Sequence, residues 1–144
     1  MSLIVPDLYL ASQNEASHFI TNASADIVIN AAFEVSFPFI RNTTLLNLNW
    51  YDDPQQEINK NDTLFRVIDI IDSYLTHNQR VVVNCFAGVS RSTTIVIAYI
   101  IYKYKLTLLE ALQFVRSKRN IVNPNPGFIQ QLKNLEPLLL SYKK

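Results

Sequence analysis

Apolar residues recur along this chain with two periods. Leu8-Tyr9-Leu10-Ala11-Ser12 alternates and is aromatic-rich, which predicts a strand, and Asn14 to Ile20 follows as a short helix. Asp26-Ile27-Val28-Ile29-Asn30 is a second strand, ending at Asn30-Ala31-Ala32, where a loop of βα type can begin. Thr44 to Asn49 is a third. From Asp62, a natural N-cap, Leu64, Phe65, Ile68, Ile71 and Leu75 recur at helical spacing. Val81-Val82-Val83 is a β-branched run suited to a strand covered on both faces, and from Ile95 the chain is apolar for long enough to be a core helix. Thr107-Leu108-Leu109-Glu110 reads as a capping box opening a helix through Arg119, with Leu108, Ala111, Leu112 and Val115 as its apolar face. Asn123-Pro124-Asn125-Pro126 breaks the chain. Phe128, Leu132, Leu135 and Leu139 then mark a last helix, which Pro137 is expected to kink or shorten. Strands followed by helices imply an α/β fold: one domain over residues 1–144, with a central, mostly parallel sheet flanked by helices.

Composition narrows the classes. At 144 residues the chain is long enough to bury a sizeable core, and no apolar run approaches the roughly 18 residues of a membrane span. The start, Met1 to Asp7, has no basic segment followed by an apolar run, so no secretion signal is expected. A formal charge of +1 gives no reason to expect nucleic acid or an acidic membrane as partner. Cys85 is the only cysteine, which excludes an internal disulfide and a multi-cysteine metal site and favours a reducing, cytoplasmic home, with access to the nucleus left open. With no second thiol to trap it, an oxidised Cys85 is exposed to over-oxidation.

The chemistry concentrates in Cys85-Phe86-Ala87-Gly88-Val89-Ser90-Arg91-Ser92, between the Val81 strand and the helix that follows. A loop running into a helix N-terminus turns several unpaired N–H groups towards one point, an anion site. The amides of Phe86, Ala87, Gly88, Val89 and Ser90 are the candidate cradle, and Gly88 supplies the backbone freedom the turn demands. A thiol in that field has its thiolate stabilised, which makes Cys85 a candidate nucleophile. Arg91 can grip two phosphoryl oxygens at once, and Ser92 can donate its hydroxyl proton towards the sulfur as it leaves.

A thiolate attacking a phosphate ester also needs an acid for the leaving oxygen, later a base for water. Asp52 and Asp53, in the polar loop Trp50 to Ile58, are the candidates. His18 and His77 receive no catalytic role.

The segment Cys85 to Ser92 resembles the signature loop of the dual-specificity protein phosphatases, in the cysteine-dependent tyrosine phosphatase superfamily. That family usually has His before the Cys, where this chain has Asn84, so altered thiol tuning is expected. The resemblance implies that phosphotyrosine and phosphoserine/phosphothreonine esters on proteins are hydrolysed through a cysteinyl-phosphate, with no cofactor. Trp50-Tyr51-Asp52 is similar to the Trp-Pro-Asp of the wider superfamily, and Asp52 stands six residues before Ile58, the family's spacing; both favour Asp52 over Asp53. Asn123 to Leu132 resembles the family's Pro-Asn-x-Gly-Phe segment, a buttress near the active site. Arg119 falls where some members bind a second phosphate, and a solvated helix-end arginine is the other reading. Asn84 keeps a phosphate-binding pseudophosphatase open as an alternative, and phosphoinositides or RNA 5′-phosphates remain alternative substrates. The absence of Lys between Cys85 and Arg91 argues against the most highly charged of these.

Overall fold

The computed structural model describes residues 1–22 and 24–143. Among the described residues five strands form one sheet, β1 (Ser2–Val5), β2 (Leu8–Ala11), β3 (Ile27–Ala32), β4 (Thr44–Trp50) and β5 (Val81–Asn84), in the order β1-β2-β5-β3-β4. The pairs β2–β5, β5–β3 and β3–β4 are parallel. Strand β1 was not expected from the sequence, and it pairs antiparallel with β2, which makes the sheet mixed at that edge.

The central strands are covered on both faces, as the Val81 run predicts. Leu8, Leu10, Ile27, Ile29, Val81 and Val83 point into the larger core, packed by α2 (Thr63–Thr76), α3 (Arg91–Tyr104), α4 (Leu108–Lys118) and α5 (Pro126–Ser141). The alternate residues Ala11, Val28 and Val82 point the other way, against Ala16 and Phe19 of α1 (Gln13–Asn22). The two-residue period of a strand divides one sequence between two cores. Helix α3 is buried from Arg91 to Tyr102, so the element following the signature loop is the axis on which α2, α4 and α5 pack.

Four helix ends bear on the sequence reading. The Thr107–Glu110 capping box forms with both of its bonds. Asp62 does not cap α2: Asn61 and Asp62 both have positive φ, so the chain turns there and the Asp62 side chain makes no cap bond. Asn59 takes that role, its Oδ1 accepting from the Leu64 amide at 3.1 Å. Helix α5 runs through exposed Pro137 to Ser141, because Leu139 beyond it is still buried in the core. Ser12 and Glu15 exchange two bonds at the start of α1, a second capping box that the sequence reading absorbed into the preceding strand.

Candidate active site

The loop from Cys85 to Ser90 leaves the carboxyl end of β5, the central strand, and enters α3 at Arg91. In a parallel sheet this is the crevice where ligands sit. The loop is held from outside by its carbonyls. Cys85 O accepts from Asn84 Nδ2 at 3.3 Å, Phe86 O from the Gln13 amide at 2.9 Å, and Gly88 O from Arg119 Nε at 2.9 Å. Ala87 O accepts from Arg119 Nη2, Val89 O from the Asn123 amide, and Ser90 O from the Thr94 amide. With every carbonyl pinned outward, the loop amides are left to converge on Cys85. The Gly88 amide donates to Sγ at 3.3 Å, and the Ser92 hydroxyl lies 3.1 Å from it.

Those contacts decide the state of the thiol. Burial opposes ionisation, but the Ser92 hydroxyl and the amides of Ser92, Val89 and Gly88 outweigh it and bring Cys85 below its ordinary value. Gly88 is required at its place. Its φ is +68°, and a Cβ there would lie 2.8 Å from the Ala11 carbonyl and 2.7 Å from Arg119 Nη2.

Arg91 is buried, and its five N–H groups divide into two sets. Nη1 and Nη2 donate to the two carboxylate oxygens of Glu34 at 2.6 and 2.7 Å, and Nη1 also donates to Trp50 O at 3.0 Å. Nε has no partner among the described residues. That leaves Nε–H and the second Nη2–H side by side, a fork shaped for two oxygens of one phosphoryl group. Burial works against the charge on Arg91; Glu34, Cys85 and Asp52 together hold it more firmly protonated than usual. Glu34 was not singled out in the sequence. Its signal was positional, an acid two residues past β3 at the same end of the sheet as Cys85.

Asn84 replaces the expected His with an amide ladder. It shares a register with Asn30, which shares one with Asn47, across β5, β3 and β4. Asn84 Nδ2 donates to Asn30 Oδ1 at 3.2 Å, and Asn30 Nδ2 donates to Asn47 Oδ1 at 3.0 Å and to Val35 O at 2.7 Å. Asn30 Oδ1 also accepts from the Ala32 amide. The same amides thus tie the turn carrying Glu34 to the backbone of the nucleophile candidate.

The two acid candidates separate. Asp53 Oδ1 accepts from the Gln55 amide at 2.7 Å, an Asx turn that closes its own loop. Asp52 is exposed and turned to the loop face, its Oδ1 accepting from Asn125 Nδ2 at 2.9 Å. The segment from Asn123 braces that arrangement: the Asn125 amide donates to Ser90 Oγ, and Gln131 bonds the backbone of Gln56 and Ile58. A Cβ on Gly127 would meet Pro54 O at 2.1 Å, so only glycine lets α5 press against the Asp52 loop. A groove of about 670 Å³ continues from Asp52, Val89 and Ser90 past Asn125 and Ile129 to Lys133.

Arg119 fits neither reading made of it. It is 7% exposed, and its donors are spent on Gly88 O, Ala87 O, Leu10 O, Ser2 Oγ and Glu15, the last at 2.7 Å. It lies against the loop as a strut, its donors on the Gly88 and Ala87 carbonyls. His18 and His77 are exposed, outside the cluster. Among the described residues no group of three or more His, Cys, Asp or Glu could hold a metal ion, and no helix is long and apolar enough to cross a membrane.

Comparison with known proteins agrees with this geometry. The family model described as dual specificity phosphatase, catalytic domain, matches residues 8–137. Dual specificity protein phosphatase 15 of Mus musculus is 33% identical over 144 residues, covering 92% of this chain and 56% of its own length. Dual specificity protein phosphatase 1 of Arabidopsis thaliana is 51% identical over 69 residues, 48% of this chain and 35% of that protein. The chain therefore spans about half the length of one of these relatives and about a third of the other. The crystal structure of DUSP15 superposes with a TM-score of 0.89 at 29% identity, covering 98% of this chain and 90% of that one. The chain belongs to the dual specificity phosphatase catalytic domain family.

Proposed function

We propose that this chain hydrolyses phosphate monoesters on phosphorylated proteins, at tyrosine and at serine or threonine, through a cysteinyl-phosphate. The observation that carries the reading is the free Nε–Nη2 edge of Arg91 beside a thiol already biased towards its thiolate. The Cys85 thiolate attacks phosphorus, forming the S–P bond as the ester P–O bond breaks. Arg91 and the inward amides of Phe86 to Ser90 hold the non-bridging oxygens, electrostatic stabilisation of the kind that usually dominates such reactions. Asp52 gives its proton to the leaving oxygen. In the second step water attacks phosphorus, Asp52 takes the water proton, the S–P bond breaks and inorganic phosphate leaves. Ser92 hydrogen-bonds the departing thiolate. Arg91 and the amides supply the positive charge that these steps require, so no metal is invoked.

A panel of phosphotyrosyl and phosphothreonyl peptides, inositol lipids and triphosphorylated RNA tests the substrate class. Turnover of the peptides supports the reading, and turnover confined to the lipids or RNA overturns it. Binding of phosphopeptide without turnover would instead support a phosphate-binding module.

A further inference from the structure

Two aromatic side chains beside the Arg91 clamp have no part in the chemistry above. Phe33 and Tyr51 are 49% and 54% exposed, yet their rings stack with centroids 4.0 Å apart and planes at 27°. Each adjoins a residue of the site, Phe33 next to Glu34 and Tyr51 next to Asp52. One carbonyl joins their backbones to the phosphate grip: Trp50 O accepts from the Phe33 amide at 3.1 Å and from Arg91 Nη1 at 3.0 Å. The pair therefore stands at the β3–β4 side of the mouth. On the opposite flank, towards β2 and α1, Phe86 is 57% exposed within the loop itself, its carbonyl bonded to the first residue of α1.

Resting on the phosphatase reading, we propose that the Phe33–Tyr51 stack is an aryl-binding wall that makes phosphotyrosine the preferred substrate over phosphoserine and phosphothreonine. With its phosphate in the Arg91 fork, a phosphotyrosine extends a ring outward past the mouth, where the wall on one side and Phe86 on the other offer apolar faces. Aromatic rings gain from such contacts beyond simple burial. A phosphothreonine side chain ends within the loop and has no face to present, so the wall adds nothing to its binding. The half-exposed area of the two rings is the area a substrate ring would cover.

The alternative use of the stack is to clasp the Glu34 and Asp52 loops to each other. Paired affinities separate the two. Calorimetry on Cys85→Ser, with a phosphotyrosyl and a phosphothreonyl peptide of identical flanks, should give roughly tenfold tighter binding of the first. Adding Phe33→Leu and Tyr51→Leu, which keep apolar bulk and remove the rings, should bring the ratio close to one and leave inorganic phosphate binding intact. Tyr51→Leu alone should move the ratio part of the way if the double change fails to fold. Equal weakening of both peptides, or no preference in Cys85→Ser itself, overturns the wall. If neither peptide binds, both the wall and the phosphatase reading fall.

Discussion

Glu34 meets Arg91 end-on, oxygen to nitrogen at 2.6 and 2.7 Å, and so leaves the side edge of the guanidinium unpaired. In the proposed mechanism the pair is a positioning device: the carboxylate fixes the plane in which the fork would receive a phosphoryl group. Hydrogen bonds to charged groups contribute about 1.5–3 kcal/mol, so Glu34→Ala should weaken vanadate affinity roughly ten- to hundredfold. KM for an aryl phosphate should rise with it, and Glu34→Gln should recover part of the loss. Unchanged vanadate binding in Glu34→Ala would show that Arg91 is held without it.

Asp52 and Asp53 differ in what their carboxylates already do, one facing the loop and the other closing a turn. Asp52→Asn should lower kcat for alkyl phosphates by about 10²–10⁴, and less for aryl phosphates, whose phenolate leaves with little protonation. Asp53→Asn should act mainly on stability. Equal losses from the two changes, or none from Asp52→Asn with either substrate, would remove Asp52 as the acid.

Local sequence carried the Cys85–Ser92 loop, because strand, turn and helix there are contiguous and the contacts around the thiol come from residues seven apart or fewer. The capping box at Thr107 and the buttress from Asn123 were legible for the same reason. Glu34 was not, since it meets Arg91 across 57 positions and nothing beside it marks an arginine partner. Arg119 shows the converse: its place at a helix end suggested solvent or substrate, and only its hydrogen bonds to the Gly88 and Ala87 carbonyls and to Glu15 reveal a strut. Strand β1 pairs through a register that four residues cannot announce on their own.

Asn84 puts a neutral amide where the family usually carries a titrating ring. Removing it by Asn84→Ala frees Cys85 O and leaves Asn30 Oδ1 with one donor fewer, a cost of about 1–3 kcal/mol for buried groups. The loop amides should then be less ordered around Sγ, and the acid limb of the pH–rate profile should move to higher pH. A limb that stays in place while Tm falls would make the ladder a matter of stability alone.

The strut behind the loop predicts a pH-dependent stability. Burial works against the Glu15 charge, but Arg119, the Met1 ammonium and the Ser12 amide more than offset it, and Glu15 lies far below its ordinary 4.5. A carboxylate depressed in the folded state contributes stability above its unfolded value and loses it as pH falls. The Tm gap between wild type and Glu15→Gln should therefore be full at neutral pH and close progressively as pH drops below about 4.5. A gap that is constant with pH would contradict the charge pairing.

In the proposed mechanism Cys85 carries the reaction as a thiolate. The most direct test is hydrolysis of a small aryl phosphate between about pH 5 and 8, with chelator present, for wild type and Cys85→Ser. Turnover is expected in the wild type alone, with an acid limb set below the ordinary thiol range and tungstate binding retained in Cys85→Ser. Turnover that survives in Cys85→Ser, or a wild type that binds tungstate and never turns over, would contradict that mechanism.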